Sequence, residues 1–180
     1  MWVQAPPTLP DIMIILDIET TGLNPLYHSV LSIGAVQVET GRLFYGECQI
    51  EPGSHIDDAA LAVNGFTREE ATDSSKFLPH ELIMEFYKWA EGDTILIGQN
   101  VGSFDVQFLK HVTNKHLMKW PFSYRTVDLH SVAFAKFGES VGSAEMYTRL
   151  GLDPEPTVHN ALVGAVWEWA AFEKLMRTGL

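Results

Sequence analysis

The hydrophobic pattern is strongest where the chain first becomes apolar. Ile12–Leu16 reads I-M-I-I-L without interruption and runs directly into Asp17-Ile18-Glu19-Thr20-Thr21-Gly22-Leu23. A run apolar on both faces predicts a strand covered on both sides, central to its sheet. Val30–Val38 alternates imperfectly and is rich in β-formers, Glu39-Thr40-Gly41 reads as a hairpin turn, and Leu43–Ile50 returns, so three antiparallel strands open the fold. Short helical pieces follow at 57–63 and after Thr67, whose spacing to Glu70 is that of a capping box. Leu82, Ile83, Phe86 and Trp89 fall at helical spacing within 79–90, and Thr94–Gly98 is a short buried strand. A helix over 104–114 with Ser103 as cap, an edge strand over 122–127, and helices over 129–137 and 144–150 come next. The last helix is predicted from near Val158 to about Met176 with Thr157 as cap, its inward side carrying Leu162, Val166, Trp169 and Phe172. Three antiparallel strands followed by alternating strands and helices describe an α/β domain with a mixed five-stranded sheet and helices on both faces. Residues 1–10 read as an N-terminal extension and 11–180 as one domain.

Composition narrows the class. At 180 residues the chain is large enough for a substantial core. One cysteine, Cys48, excludes an intrachain disulfide framework and a cysteine-rich zinc site. No apolar run reaches a membrane span of roughly 20 residues, and the first ten residues lack the basic and apolar regions of a signal peptide, so a cytoplasmic protein is expected. The net charge of -11 argues against broad adhesion to nucleic acid or anionic membrane. Between Val106 and Gly138, however, Lys110, Lys115, Lys119, Arg125 and Lys136 face one acid, Asp128, which is either a local basic face or solvated helix surface.

Candidate chemistry begins with Asp17 and Glu19. In a strand they share one face while Ile18 points to the other. Two neighbouring acids repel and are costly to bury unless a hard divalent cation takes their oxygens; the alternative is a strand end dissolving into a polar turn. Gly98-Gln99-Asn100-Val101-Gly102-Ser103-Phe104-Asp105 runs from a buried strand through a glycine-containing loop into a helix start, where ligand sites gather in α/β folds. There Asp105 is a second candidate acid, or only a complement to the helix dipole. His159, in T-V-H-N-A-L-V-G-A, is of the residue type that takes a proton from a metal-bound water.

In order, D-I-E-T-T-G, N-x-x-x-F-D and H-N-A resemble the motifs of the DnaQ-like 3'-5' exonucleases, the histidine-bearing branch of the DEDD nucleases, over nearly the whole chain. Asp17 to Leu23 match the first motif, Asn100, Phe104 and Asp105 the second, and His159, Asn160 and Ala161 the start of the third. Ala62 to Thr67 resemble a segment in which histidine commonly stands at the position of Asn64. The resemblance implies a ribonuclease-H-like fold and phosphodiester hydrolysis at a single-stranded DNA or RNA 3' end, with two magnesium or manganese ions. It implies Asp17, Glu19 and Asp105 as metal ligands, His159 as general base, and Thr20, Thr21, Gly22, Leu23, Asn64 and Asn100 around the terminal nucleotide. A polymerase or a second copy of the chain would be a partner of the expected kind.

The third motif departs from the family. Its fourth acid is expected five residues after the histidine, where this chain has Gly164. Glycine inside a helix costs roughly 1 kcal/mol relative to alanine and supplies no ligand. One metal site is therefore expected to be weakened and turnover reduced. Glu168, one turn later, is a substitute ligand or an exposed helix acid; a rise of about 5.4 Å favours the second. The remaining accounts are a degenerate site in a nucleic-acid-binding module or regulatory subunit, an altered residue at 164, and a protein-interaction domain suited to the acidic average.

Overall fold

A computed structural model describes residues 12–90 and 94–177. The expected extension at 1–10 lies outside the described residues. The five strands are β1 (Ile12–Thr20), β2 (Val30–Gln37), β3 (Leu43–Glu47), β4 (Thr94–Gly98) and β5 (Thr126–Asp128). They form one sheet in the order β3-β2-β1-β4-β5. β1–β2 and β2–β3 pair antiparallel, β1–β4 and β4–β5 parallel. Among the described residues seven helices surround it: α1 (Asp58–Asn64), α2 (Arg68–Ala71), α3 (Pro79–Ala90), α4 (Asp105–Lys115), α5 (Leu129–Phe137), α6 (Ser143–Arg149) and α7 (Ala161–Arg177). None is long and apolar enough to cross a membrane.

β1 is central, as its two-faced apolar run requires. Ile14, Leu16 and Ile18 join Ile33, Phe86, Phe108 and Leu109 in a core under α3 and α4. Ile15 points the other way into a core with Ile97, Leu129, Tyr147, Ala165 and Phe172, under α5, α6 and α7. The period-2 alternation of a strand then carries Asp17 and Glu19 onto the face of Ile15, which is the α7 face.

The approach of α7 depends on one glycine. Gly34 of β2 lies opposite Asp17 in the β1–β2 register. A Cβ there would fall 2.1 Å from the backbone of Ala161, so only glycine lets the start of α7 rest on the strand. That contact places the first turns of α7 over the acids of β1.

Four boundaries differ from those expected. The final helix starts at Ala161, and its cap is Asn160, whose Oδ1 accepts from the amides of Leu162 (3.1 Å) and Val163 (3.2 Å). Thr157 and His159 lie outside the helix, and the His159 amide donates to Val63 O (3.0 Å) on α1. Ser103 does not cap α4; its hydroxyl donates to Asn100 O and the helix opens at Asp105. β3 stops at Glu47, and β5 is confined to Thr126–Asp128 at the sheet edge. The Thr67–Glu70 capping box forms as expected.

Candidate active site

Acids from four chain segments meet where β1 and β4 end, in a cavity of about 450 Å³ whose lining includes Asp17, Asn100, Asp105, Glu155, His159 and Glu168. Asp17 is half-buried and Glu19 is only 8% exposed. Asp105, at 3% exposure, sends Oδ1 to the Ile18 amide (3.1 Å), which ties the start of α4 to the strand between the two β1 acids. Asp17, Glu19 and Asp105 thus come together from sequence positions far apart.

At Gly164 the space of the missing side chain is taken by others. A Cβ built there would lie 2.1 Å from Asp17 Oδ2 and 3.5 Å from Glu155 Oε1. The oxygens of an aspartate stand two bonds beyond its Cβ, so at position 164 they would compete for the small volume that the Glu155 carboxylate borders. Glu155 comes from the connector before α7, which Trp167 holds in place by donating Nε1–H to Asp153 O (3.1 Å). Glu155 is not among the candidates that the sequence singles out. A proline-flanked glutamate beside a motif lacking its own acid was the available signal.

Glu168 corrects the expectation of an exposed helix acid. It is 5% exposed, its Oε1 accepts from the Gln99 amide (3.2 Å), and its Oε2 is buried with no hydrogen-bond partner. Gly98 makes room for it, since a Cβ there would stand 3.1 Å from Oε2. The side chain leans toward the helix N-terminus, as helical side chains do, and covers much of the one-turn distance. Gln99 is itself fixed by Tyr147, whose hydroxyl accepts from Nε2 (2.6 Å), and by Ser143.

The five acids form one electrostatically connected cluster, in which Asp17 faces all four of the others. Burial pushes the Glu19 carboxyl up to about 7, and the charge that adds to this is Glu155. Burial lifts Glu168 well above the carboxylate range, with Asp105 the foremost neighbouring charge. Asp105 is pushed up to about 8, again chiefly by burial, against the opposing Ile18 hydrogen bond. Asp17 is raised by burial and then by Glu168, Asp105, Glu19 and Glu155 in turn. A set of carboxyls all held toward the neutral form lacks positive charge, and divalent cations supply it.

This has a consequence for stability. A carboxyl raised in the fold stabilises it fully below its unfolded value and loses that contribution as pH rises through the folded value. For Glu19 the window runs from 4.5 to about 7, and for Asp105 from 3.8 to about 8. Glu47 and Glu51 are lowered and act only below the ordinary carboxylate range, outside most of this window. In chelator, the thermal midpoint therefore falls steadily from pH 5 to 8, and saturating manganese reduces the slope. Fluorimetric melting across that range checks it; a flat profile in chelator rules the electrostatic picture out.

The remaining sequence candidates surround the cleft. His159 is exposed on the cavity rim. Thr20 Oγ1 donates to Gly22 O (2.8 Å) and Thr21 Oγ1 to His55 O (2.7 Å), so both hydroxyls hold the loop after β1. Gly22 packs against the His28 ring, leaving no space for a Cβ, and Leu23 is 81% exposed. Asn64 is buried and donates Nδ2–H to Thr20 O (3.0 Å). Asn100 adopts φ 56°, which turns its carbonyl inward to accept from Ser103 and Phe104. Four of the five basic residues of 106–138 have near neighbours: Lys110 lies over Trp120, Lys115 pairs with Glu51, Arg125 lies over Tyr124 and Lys136 points to carbonyls of α7.

Comparison with known proteins agrees with this architecture. Residues 14–165 match the family model RNase_T, described as exonuclease. The chain is 31% identical to the DNA polymerase III subunit epsilon of Haemophilus influenzae, an alignment covering 94% of this chain and 68% of that protein. Identity to the epsilon subunit of Buchnera aphidicola is 34%, over 58% of this chain and 44% of that one. Among solved structures, Escherichia coli Exonuclease I in complex with a dT13 oligonucleotide superposes with a TM-score of 0.77 at 17% identity, covering 93% of this chain and 41% of that chain. The chain thus spans less than half of Exonuclease I and of the Buchnera relative.

Proposed function

The chain belongs to the RNase_T exonuclease family, in its DnaQ-like branch, and on that premise we propose that it removes mononucleotides from the 3' end of single-stranded DNA in a reaction dependent on divalent cations. The observation that carries this reading is the Glu155 carboxylate, which stands with Asp17 Oδ2 beside the place that a side chain at residue 164 would take. Asp17, Glu19 and Glu155 form the set that would hold one magnesium or manganese ion. Asp17, Asp105 and Glu168 form the set that would hold the other. The buried, unpartnered Glu168 Oε2 and the raised carboxyls fit such cations. When bound, two such ions would supply a low-pKa water and charge stabilisation for the attacking and leaving oxygens.

The protein's own groups do the rest. His159, at the rim of the cavity, accepts the proton of the attacking water. The loop from Thr20 to Leu23 presents its backbone and the exposed Leu23 side chain to the terminal nucleotide. Asn64 acts indirectly by gripping Thr20 O, and Asn100 shapes the opposite wall of the cleft. DNA is favoured over RNA by the polymerase-subunit relatives and by the oligonucleotide seen with Exonuclease I. Association with a polymerase is the partner those relatives' names suggest.

A second reading, a module that binds nucleic acid without cutting it, draws on the absence of an acid from α7 at position 164. One assay separates the two. A 5'-labelled single-stranded oligonucleotide in manganese should shorten stepwise from its 3' end and stop on addition of chelator. Retention of the full-length strand while it is bound supports the second reading, and loss of the 5' label as mononucleotide overturns the direction of digestion.

A further inference from the structure

Away from the acidic cleft, Glu51 after β3, His80 in the first turn of α3 and His116 at the end of α4 converge. Each offers one ligand atom, and these atoms all lie within 4.8 Å of one another; among the described residues no other three histidine, cysteine or acidic groups do so. We propose that this is a second metal site, selective for zinc-like cations, that bridges three separate segments of the chain.

The polar inventory points to a ligand. Among the described residues seven buried side-chain nitrogen or oxygen atoms lack a hydrogen-bond partner, and three of them belong here: Glu51 Oε2, His80 Nδ1 and His116 Nε2. Buried polar atoms are normally satisfied, so three unsatisfied atoms at one locus mark a missing common partner. The other carboxylate oxygen, Glu51 Oε1, is engaged by Lys115 Nζ at 2.8 Å and lies 3.4 Å from His116 Nε2. That leaves Oε2 as the oxygen available to a cation.

Ligand chemistry sets the class. Two imidazoles and one carboxylate form a recurrent three-residue zinc set, with a fourth position for water. Magnesium prefers all-oxygen shells, whereas imidazole suits zinc, cobalt, nickel and copper, so this locus and the carboxylate cleft select different ions. The imidazoles of His80 and His116 are stacked at 4.1 Å between centroids and 14° between planes. Coordination requires an ion in the plane of each ring, so one ring turns out of the stack about its Cβ–Cγ bond. Tetrahedral ligand atoms stand about 3.3 Å apart at ordinary zinc distances, a closure such a turn supplies. Bound there, the ion joins the loop after β3 to α3 and α4, which are separate in sequence.

The test is zinc titration of the full chain in millimolar magnesium, which loads the carboxylate cleft, with a chromophoric chelator as competitor. The parent is expected to bind one zinc equivalent that His80→Gln and His116→Gln each weaken at least tenfold, while both variants keep the parent's circular dichroism. Nitrogen NMR of the labelled rings gives a second readout, with zinc shifting His80 Nδ1 and His116 Nε2 in the parent. Equal zinc affinity in parent and both variants, or unmoved ring nitrogens at saturating zinc, overturns the assignment.

Discussion

Asp17→Asn is expected to lower single-turnover strand cleavage by on the order of 10³-fold, the scale of losing one preorganised electrostatic stabiliser. Asp17 is the one acid that both groups of carboxyls share: its carboxyl is raised by Glu168, Asp105, Glu19 and Glu155 together. Asparagine keeps the shape of the side chain and removes its charge, so neither proposed ion keeps its common ligand. The same change should raise the thermal midpoint in chelator at pH 8. A half-buried carboxylate surrounded by four acids opposes folding once ionised, and its neutral isostere does not. Rapid-quench measurement of cleavage and fluorimetric melting give the two readouts. Loss of activity with a higher midpoint fits a functional acid held at a cost in stability; loss with a lower midpoint would mean that Asp17 serves the fold.

The sheet was legible in the chain because β1 and its neighbours obey simple periodicities. An apolar run on both faces put β1 at the centre, and the same alternation placed Asp17 and Glu19 on one face. Asp105 was legible from its place after a strand and a glycine-containing loop. The start of α7 was not, because Thr157 and Asn160 are both of capping type, and it is Asn160 Oδ1 that accepts from the amides of Leu162 and Val163. Glu168 was misassigned by counting axial rise alone. Side-chain direction and the room left by Gly98 bring its carboxylate into the cleft. Glu155 belongs to no periodic element, so no hydrophobic pattern could place it. Its position follows from tertiary contacts, including the Trp167 bond to Asp153. Linear charge counting in 106–138 does not see the neighbours that Lys110, Lys115 and Arg125 meet in the fold.

The second large effect concerns the missing acid itself. Glu155→Gln should reduce manganese-dependent cleavage by about 10²-fold, the upper end for loss of a metal-supporting group. It should weaken manganese binding at the same time, because Glu19 and Asp17 lose the acid that stands beside them. In the parent, Gly164→Asp should bring no gain. Its new Cβ shifts Asp17 Oδ2, the rotatable end of a side chain 2.1 Å from that point, in the parent and the combined variant alike, but in the parent it also adds another carboxylate to a cluster that already has five. The two changes together should behave differently from either alone, since residues that share one site are not additive.

The decisive measurement is therefore a double-mutant cycle of cleavage rate and manganese affinity over the parent, Glu155→Gln, Gly164→Asp and the combined variant. If Glu155 fills the role that the family assigns to position 164, the combined variant recovers to within about tenfold of the parent, far above Glu155→Gln alone. A Glu155→Gln protein as active as the parent, or a combined variant no better than Glu155→Gln, would contradict it.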